Sequence, residues 1–165
     1  MLIEYNRSDE EFVKAFKRKY SEPLPPSWMI LEISSFGILS NLFRNLKPGR
    51  NKREIASYFG LDDRTFESWL HTFTYIRNVC AHHARLWNKT FSISPKIPRS
   101  PRHQFLNTTC IIHPENGATI YLNKKTYYLC SVLIYVLDTV NPKHSFQKKL
   151  NRLFVKYPLI DIKAM

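Results

Sequence analysis

Residues 62–88 read DDRTFESWLHTFTYIRNVCAHHARLWN, and this stretch decides the fold. It contains no proline or glycine, and an aspartate at its head can cap a helix. The spacing predicts one long helix from Asp62 or Asp63 to about Trp87. Phe66, Trp69, Phe73, Ile76, Cys80, His83 and Trp87 recur at alternating steps of three and four, which keeps them on one side. All but His83 are apolar or cysteine, so this stripe is expected to be core. His83 is then a core histidine in a supporting role, and Cys80 an inert thiol.

A second stripe, His71, Tyr75, Asn78, His82 and Arg85, lies largely opposite and carries no carboxylate. A helix face that only meets water usually mixes Glu with Lys. Imidazole, amide, phenol and guanidinium groups together suit a phosphodiester. The same stretch contains Arg77-Asn78-Val79-Cys80-Ala81-His82, an R-N-x-x-x-H pattern. Arg77 and His82 are five residues apart, so on one helix they point about 140° apart. Either the arginine wraps around the helix or two copies of the chain pair to share one cleft. The blander roles are a surface salt bridge for Arg77 and a solvated histidine for His82. Zinc is disfavoured: Cys80, His82 and His83 radiate to different faces, and no second ligand pair is evident.

After this stretch, the segment from Asn88 to Asn107 is loop, because Pro95, Pro98 and Pro101 forbid a regular helix. Lys89, Lys96, Arg99 and Arg102 make it basic and are the candidate contacts to a nucleic-acid backbone. Asn116-Gly117 within 108–121 signals a small hairpin. An apolar helix over Lys124–Val140 stops at Asn141-Pro142, and an amphipathic helix runs from Ser145 to about Lys156. Upstream, Ser8 and Glu11 form a capping-box pattern for a helix through Phe12, Val13, Phe16 and Tyr20. Pro23, Pro25 and Pro26 break it. Ser27 caps a second helix from Trp28 to about Leu46. Lys47-Pro48-Gly49 turns the chain into a short helix over about Lys52–Phe59, ended by Gly60 as a C′ residue.

The 165 residues suit one all-α domain over 1–165. At 44% hydrophobic the chain has enough apolar residues for a core, and only 4 glycines argue against turn-dense β folds and phosphate loops. Net charge is +12, from 25 Lys+Arg against 13 Asp+Glu, which attracts polyanions, nucleic acid first and an anionic membrane surface second. Three scattered cysteines form no disulfide framework and suit a reducing cytoplasm. The first residues lack the pattern of a signal peptide, and the longest apolar run, Tyr127–Leu137, is too short to span a bilayer, so no membrane role is expected.

The motif stretch resembles a known family. Trp69-Leu70-His71, then Tyr75-Ile76-Arg77-Asn78-Val79-Cys80-Ala81-His82-His83-Ala84-Arg85-Leu86-Trp87-Asn88, is similar to the signature of Abi-type abortive-infection proteins of the AbiD/AbiF group. Glu22-Pro23-Leu24-Pro25-Pro26-Ser27-Trp28, Phe36-Gly37-Ile38-Leu39-Ser40 and Ile55-Ala56-Ser57-Tyr58-Phe59-Gly60-Leu61 extend the likeness, which is strong over residues 10–90. That family is similar to the HEPN superfamily, which includes the nuclease domains of RNA-guided type VI CRISPR effectors. The resemblance implies an all-α, HEPN-like bundle and metal-independent RNA cleavage in cytoplasmic phage defence, without cofactor. It assigns Arg77 and His82 to catalysis with Asn78 beside them. Tyr75, His83 and Arg85 take supporting places. It also implies a short form that lacks the N-terminal region of longer relatives. The alternatives are a non-catalytic RNA-binding or toxin–antitoxin partner that keeps the fold, and a purely structural dimerisation module.

Overall fold

The computed structural model describes residues 2–158, with eight α-helices and one two-stranded sheet among them. The all-α expectation with a small hairpin holds. The chain groups into two compact units, Met1–Leu46 and Lys47–Met165.

The first unit holds α1 (Leu2–Arg7), α2 (Glu11–Lys19), α3 (Ser27–Ile33) and α4 (Phe36–Asn45). Tyr5, Val13 and Phe16 form its core cluster, with Met29 and Ile33 packed on it. Two sequence expectations need correction here. Ser8 is not the cap of α2: its hydroxyl accepts from the Glu10 N–H, at 3.4 Å, and Glu10 stands at the N-cap. The helix expected over Trp28–Leu46 is two helices. Ser34 turns its hydroxyl back onto the Ile30 carbonyl at 2.7 Å, and Ser35 caps α4 by accepting from the Ile38 N–H. Serine side chains compete with the backbone ladder in this way, and two in a row end one helix and start the next.

The second unit holds α5 (Arg50–Tyr58), α6 (Asp63–Ala81), β1 (Cys110–Ile112), β2 (Thr119–Tyr121), α7 (Thr126–Val140) and α8 (Phe146–Lys156). A 3₁₀ turn, Leu122–Lys124, comes first, and the apolar helix expected from Lys124 begins at Thr126. The strands pair antiparallel with Ile111 opposite Ile120, and Gly117 takes φ +67° in the turn between them. The Asn116 side chain accepts from the Ala118 N–H at 3.0 Å, the local bond that makes asparagine a turn residue.

The core of this unit gathers on α6 and α7. Trp69, Thr72, Tyr128 and Val132 are all at 0% exposure. The Trp69 ring meets Tyr135 edge-on at 5.3 Å and lies 5.6 Å from Phe105. Emptying such an aromatic site costs about 3–5 kcal/mol. The irregular segment after α6 is docked rather than loose: Phe91 is 1% exposed, and its N–H donates to the Lys124 carbonyl at 3.1 Å. An ion pair ties α5 to α6, with Lys52 Nζ 2.8 Å from Glu67 Oε2.

Gly60 closes α5 with φ +67°. Its N–H donates to the Ser57 carbonyl at 2.9 Å, and the Leu61 N–H donates to the Ala56 carbonyl at 3.2 Å. This is a Schellman closure, and Gly60 is its left-handed C′ residue. The same glycine receives the basic loop. The Arg102 N–H donates to the Gly60 carbonyl at 3.0 Å, and a Cβ on Gly60 would stand 2.5 Å from Arg102 Cβ.

Candidate functional site

Helix α6 begins on a strong cap. Asp62 accepts from the Thr65 N–H at 2.9 Å and from its hydroxyl at 2.6 Å. Burial works to raise the Asp62 pKa, but these bonds outweigh it and hold the carboxyl below its ordinary range.

The far end differs from expectation. α6 stops at Ala81, with His82 as C-cap at φ −90°, ψ 14°. The His83 N–H donates to the Cys80 carbonyl and the Ala84 N–H to the Val79 carbonyl, both at 3.0 Å. This is a second Schellman closure, and its left-handed C′ residue is His83, at φ 51°. A non-glycine residue there costs roughly 1–2 kcal/mol. Because the chain leaves the helix at this turn, Arg85 and Trp87 are on no helical stripe.

The buried stripe is also rotated from the one expected. Thr65, Phe66, Trp69, Thr72 and Val79 are the buried positions of α6. Phe73 and Ile76 are half-buried, while Cys80 and His83 are exposed. Burying Thr72 is cheap because its hydroxyl donates to the Ser68 carbonyl at 2.9 Å. His83 is therefore not a core histidine, and Cys80 is an exposed thiol within the motif. The thiol pushed up by burial is Cys130, on α7.

Arg77, Asn78, His82, His83 and Arg85 are all exposed. Arg77 Nη1 donates to Asn78 Oδ1 at 3.2 Å. Asn78 stands one turn before His82, about 40° from it around the helix. The hydrogen bond thus draws the guanidinium toward the histidine's side within one chain, the wrapping that 140° of separation demands. No side-chain hydrogen bond or ion pair holds His82 or His83 among the described residues. Tyr75 is half-buried, its ring 6.2 Å from Phe91, with its hydroxyl accepting from Ser92 at 3.4 Å.

The basic loop residues do not gather at the motif. The Lys96 N–H donates to Ser68 Oγ at 3.0 Å, and its carbonyl accepts from Trp69 Nε1 at 2.8 Å. Lys96 is thereby pinned near the start of α6, about 21 Å along the axis from His82. Lys96 and Arg99 line a groove there with Arg64, which sequence reasoning missed. A signal was available: Arg64 precedes His82 by eighteen residues, which is about five full turns. Arg102 is exposed on Gly60, and Lys89 is half-buried just after the motif turn.

No group of three or more His, Cys, Asp or Glu side chains comes together as a metal site among the described residues. Nor is any helix among them long and apolar enough to cross a membrane. No curated protein and no solved structure matches the chain. A family model, that of the Abi-like proteins, matches residues 1–88 and so includes the whole motif turn and both Schellman closures. The chain therefore belongs to the Abi-like protein family, a membership that implies abortive-infection phage defence.

Proposed function

We propose that the protein is a metal-independent endoribonuclease of phage defence, with Arg77, Asn78 and His82 as its working groups. The observation that carries this reading is the Arg77–Asn78 hydrogen bond of 3.2 Å, one turn before His82. It sets a cation and an imidazole toward the same side of an exposed helix end. The surroundings suit a polyanion: no aspartate or glutamate occurs between Glu67 and Glu115.

In the reaction, His82 takes the proton of a ribose 2′-hydroxyl, and the freed oxygen attacks the adjacent phosphorus. The new O2′–P bond forms as the P–O5′ bond breaks, and the departing O5′ takes up a proton. Arg77 neutralises charge on the non-bridging phosphate oxygens, and its fork suits two of them at once. Asn78 holds the guanidinium in place. The products are a 2′,3′-cyclic phosphate and a 5′-hydroxyl. A second copy facing this surface would line one cleft with two sets of the same groups.

The test is incubation with total RNA and EDTA, native protein beside His82→Ala and Arg77→Ala, followed by end-group analysis. Cleavage by the native chain alone, leaving cyclic phosphate ends, is the expected outcome. Equal cleavage by all three proteins would sink the assignment. A second reading is an RNA-binding or toxin–antitoxin partner without catalysis. The exposure of Arg77, Asn78 and His82 in the single chain favours it, because catalytic electrostatics gain from a site closed to water. It predicts tight, salt-sensitive RNA binding with no turnover.

A further inference from the structure

From the groove at the head of α6 we infer a phosphate grip, which holds RNA a fixed distance from the motif turn; this rests on RNA being the ligand of that turn. The groove, about 550 Å³, is lined by Arg64, Lys96 and Arg99, with Thr65 and Ser100 beside them. All three cations are exposed, and among the described residues no carboxylate pairs with any of their side chains. Asp62 also lines the groove, but its oxygens are occupied by the Thr65 hydroxyl and N–H. The cations come from two segments, helix and loop, and the loop is fixed by Lys96 bonding Ser68 and Trp69. A groove whose cations are free and whose backbone is pinned is built to meet an anion.

Helix geometry relates this groove to the motif. Arg64 and His82 are eighteen residues apart, so at about 100° per residue they share one direction around α6. Along the axis they stand about 27 Å apart. Between them on that line lie His71, Tyr75 and Asn78; Glu67, about 60° to one side, is neutralised by Lys52 Nζ at 2.8 Å. A stacked strand advances roughly 3.4 Å per nucleotide, so about eight nucleotides separate the two ends.

RNA of at least that length engages both ends at once, whereas a shorter strand occupies one. Engaging the second end raises affinity through effective concentration, so binding strengthens in a step and not evenly with length. Three fewer phosphate contacts also lower the salt dependence, by about 0.7 per contact on a single strand, or about 2 in the slope of log K against log salt.

The experiment is fluorescence anisotropy with 5′-labelled, unstructured oligoribonucleotides spanning about four to sixteen nucleotides. It is run on His82→Ala, so that no substrate is consumed, and on the same protein carrying R64A, K96A and R99A. The first protein should show a tenfold or larger gain in affinity near eight nucleotides. The second should lose the step and about two units of salt slope. Affinity rising smoothly with length in the first protein overturns the spacing. A step of equal size in both proteins overturns the groove. Because binding alone is read, failure of native cleavage sinks the nuclease reading without touching this result. Native cleavage without the step leaves that reading standing and removes the grip. Circular dichroism melting of the quadruple variant checks that a lost step is not a lost fold.

Discussion

Alanine in place of Gly60 would meet both backbone strain and a steric clash. The residue sits at φ +67°, where a Cβ costs roughly 1–2 kcal/mol. The new Cβ would also stand 2.5 Å from Arg102 Cβ and 2.9 Å from the Tyr135 hydroxyl. Carbon atoms rest about 3.5–4.0 Å apart, so something must move by about 1 Å. Neither neighbour yields easily. Arg102 Cβ is tied to a backbone whose N–H donates to Gly60, and the Tyr135 ring is packed against Trp69. Overpacking of this kind costs about 1–3 kcal/mol. The lost flexibility of the unfolded chain returns about 0.4–1 kcal/mol. The net destabilisation is about 3 kcal/mol, or a drop of roughly 6–12 °C in Tm for a chain of this size.

Gly117→Ala is the matched control. Gly117 has the same φ of +67° but nothing within 4 Å of its would-be Cβ. It bears the backbone cost alone, about 1 kcal/mol net. Urea unfolding of both variants, followed by far-ultraviolet circular dichroism, reads the difference. Gly60→Ala should exceed Gly117→Ala by about 2 kcal/mol, the overpacking share. Equal costs at the two positions would refute the close approach of the Arg102 loop to Gly60.

Three further outcomes follow from the same geometry. Mixing Arg77→Ala with His82→Ala protein should restore no cleavage, because Arg77 reaches its own chain's Asn78; recovery to about a quarter of native activity would place the arginine across a two-fold interface instead. His83→Gly should raise stability by about 0.5–1 kcal/mol, the left-handed strain relieved less the added freedom of the unfolded chain, and a lowered melting temperature would contradict the helix end described here. Glu67→Ala removes the carboxylate 2.8 Å from the buried Lys52 ammonium and should cost about 2–3 kcal/mol in urea; a change under about 0.5 kcal/mol would show the pair to be solvated.

What was legible in the sequence was whatever a strong local signal marks. Gly60 ends its helix, Asp62 caps the next, and Asn116-Gly117 turns the hairpin, each because a single residue supplies a backbone conformation or a hydrogen bond. The prolines after Asn88 marked the loop. The end of α6 was not legible. Ala81-His82-His83-Ala84 offers neither glycine nor proline, and the three-four spacing runs on through Trp87, so the pattern continues after the helix has stopped. The break at Ser34-Ser35 was hidden in the same way by apolar residues on both sides. The core stripe was misplaced toward Cys80 because apolar character was the only guide. Thr72 goes inside with its hydroxyl satisfied locally, which no hydropathy pattern reports. At the site, the pairing of Arg77 with Asn78 needed side-chain geometry, and the pinning of Lys96 to the head of α6 needed tertiary contacts.

The closure at His83 also bears on motion. The first half of α6 is anchored by Thr65, Phe66, Trp69 and Thr72, whereas after Ile76 only Val79 is buried. Opening the last turn uncovers Val79 alone among the buried residues of α6 and releases the strain at His83. Local opening free energies span from near zero at fraying ends to the global value in the core. The amides of His82, His83 and Ala84 therefore belong to the first class and that of Trp69 to the second. Arg77, Asn78 and His82 sit on the part of the helix with the fewest buried anchors, so amide hydrogen exchange there is expected to run well ahead of that at Trp69.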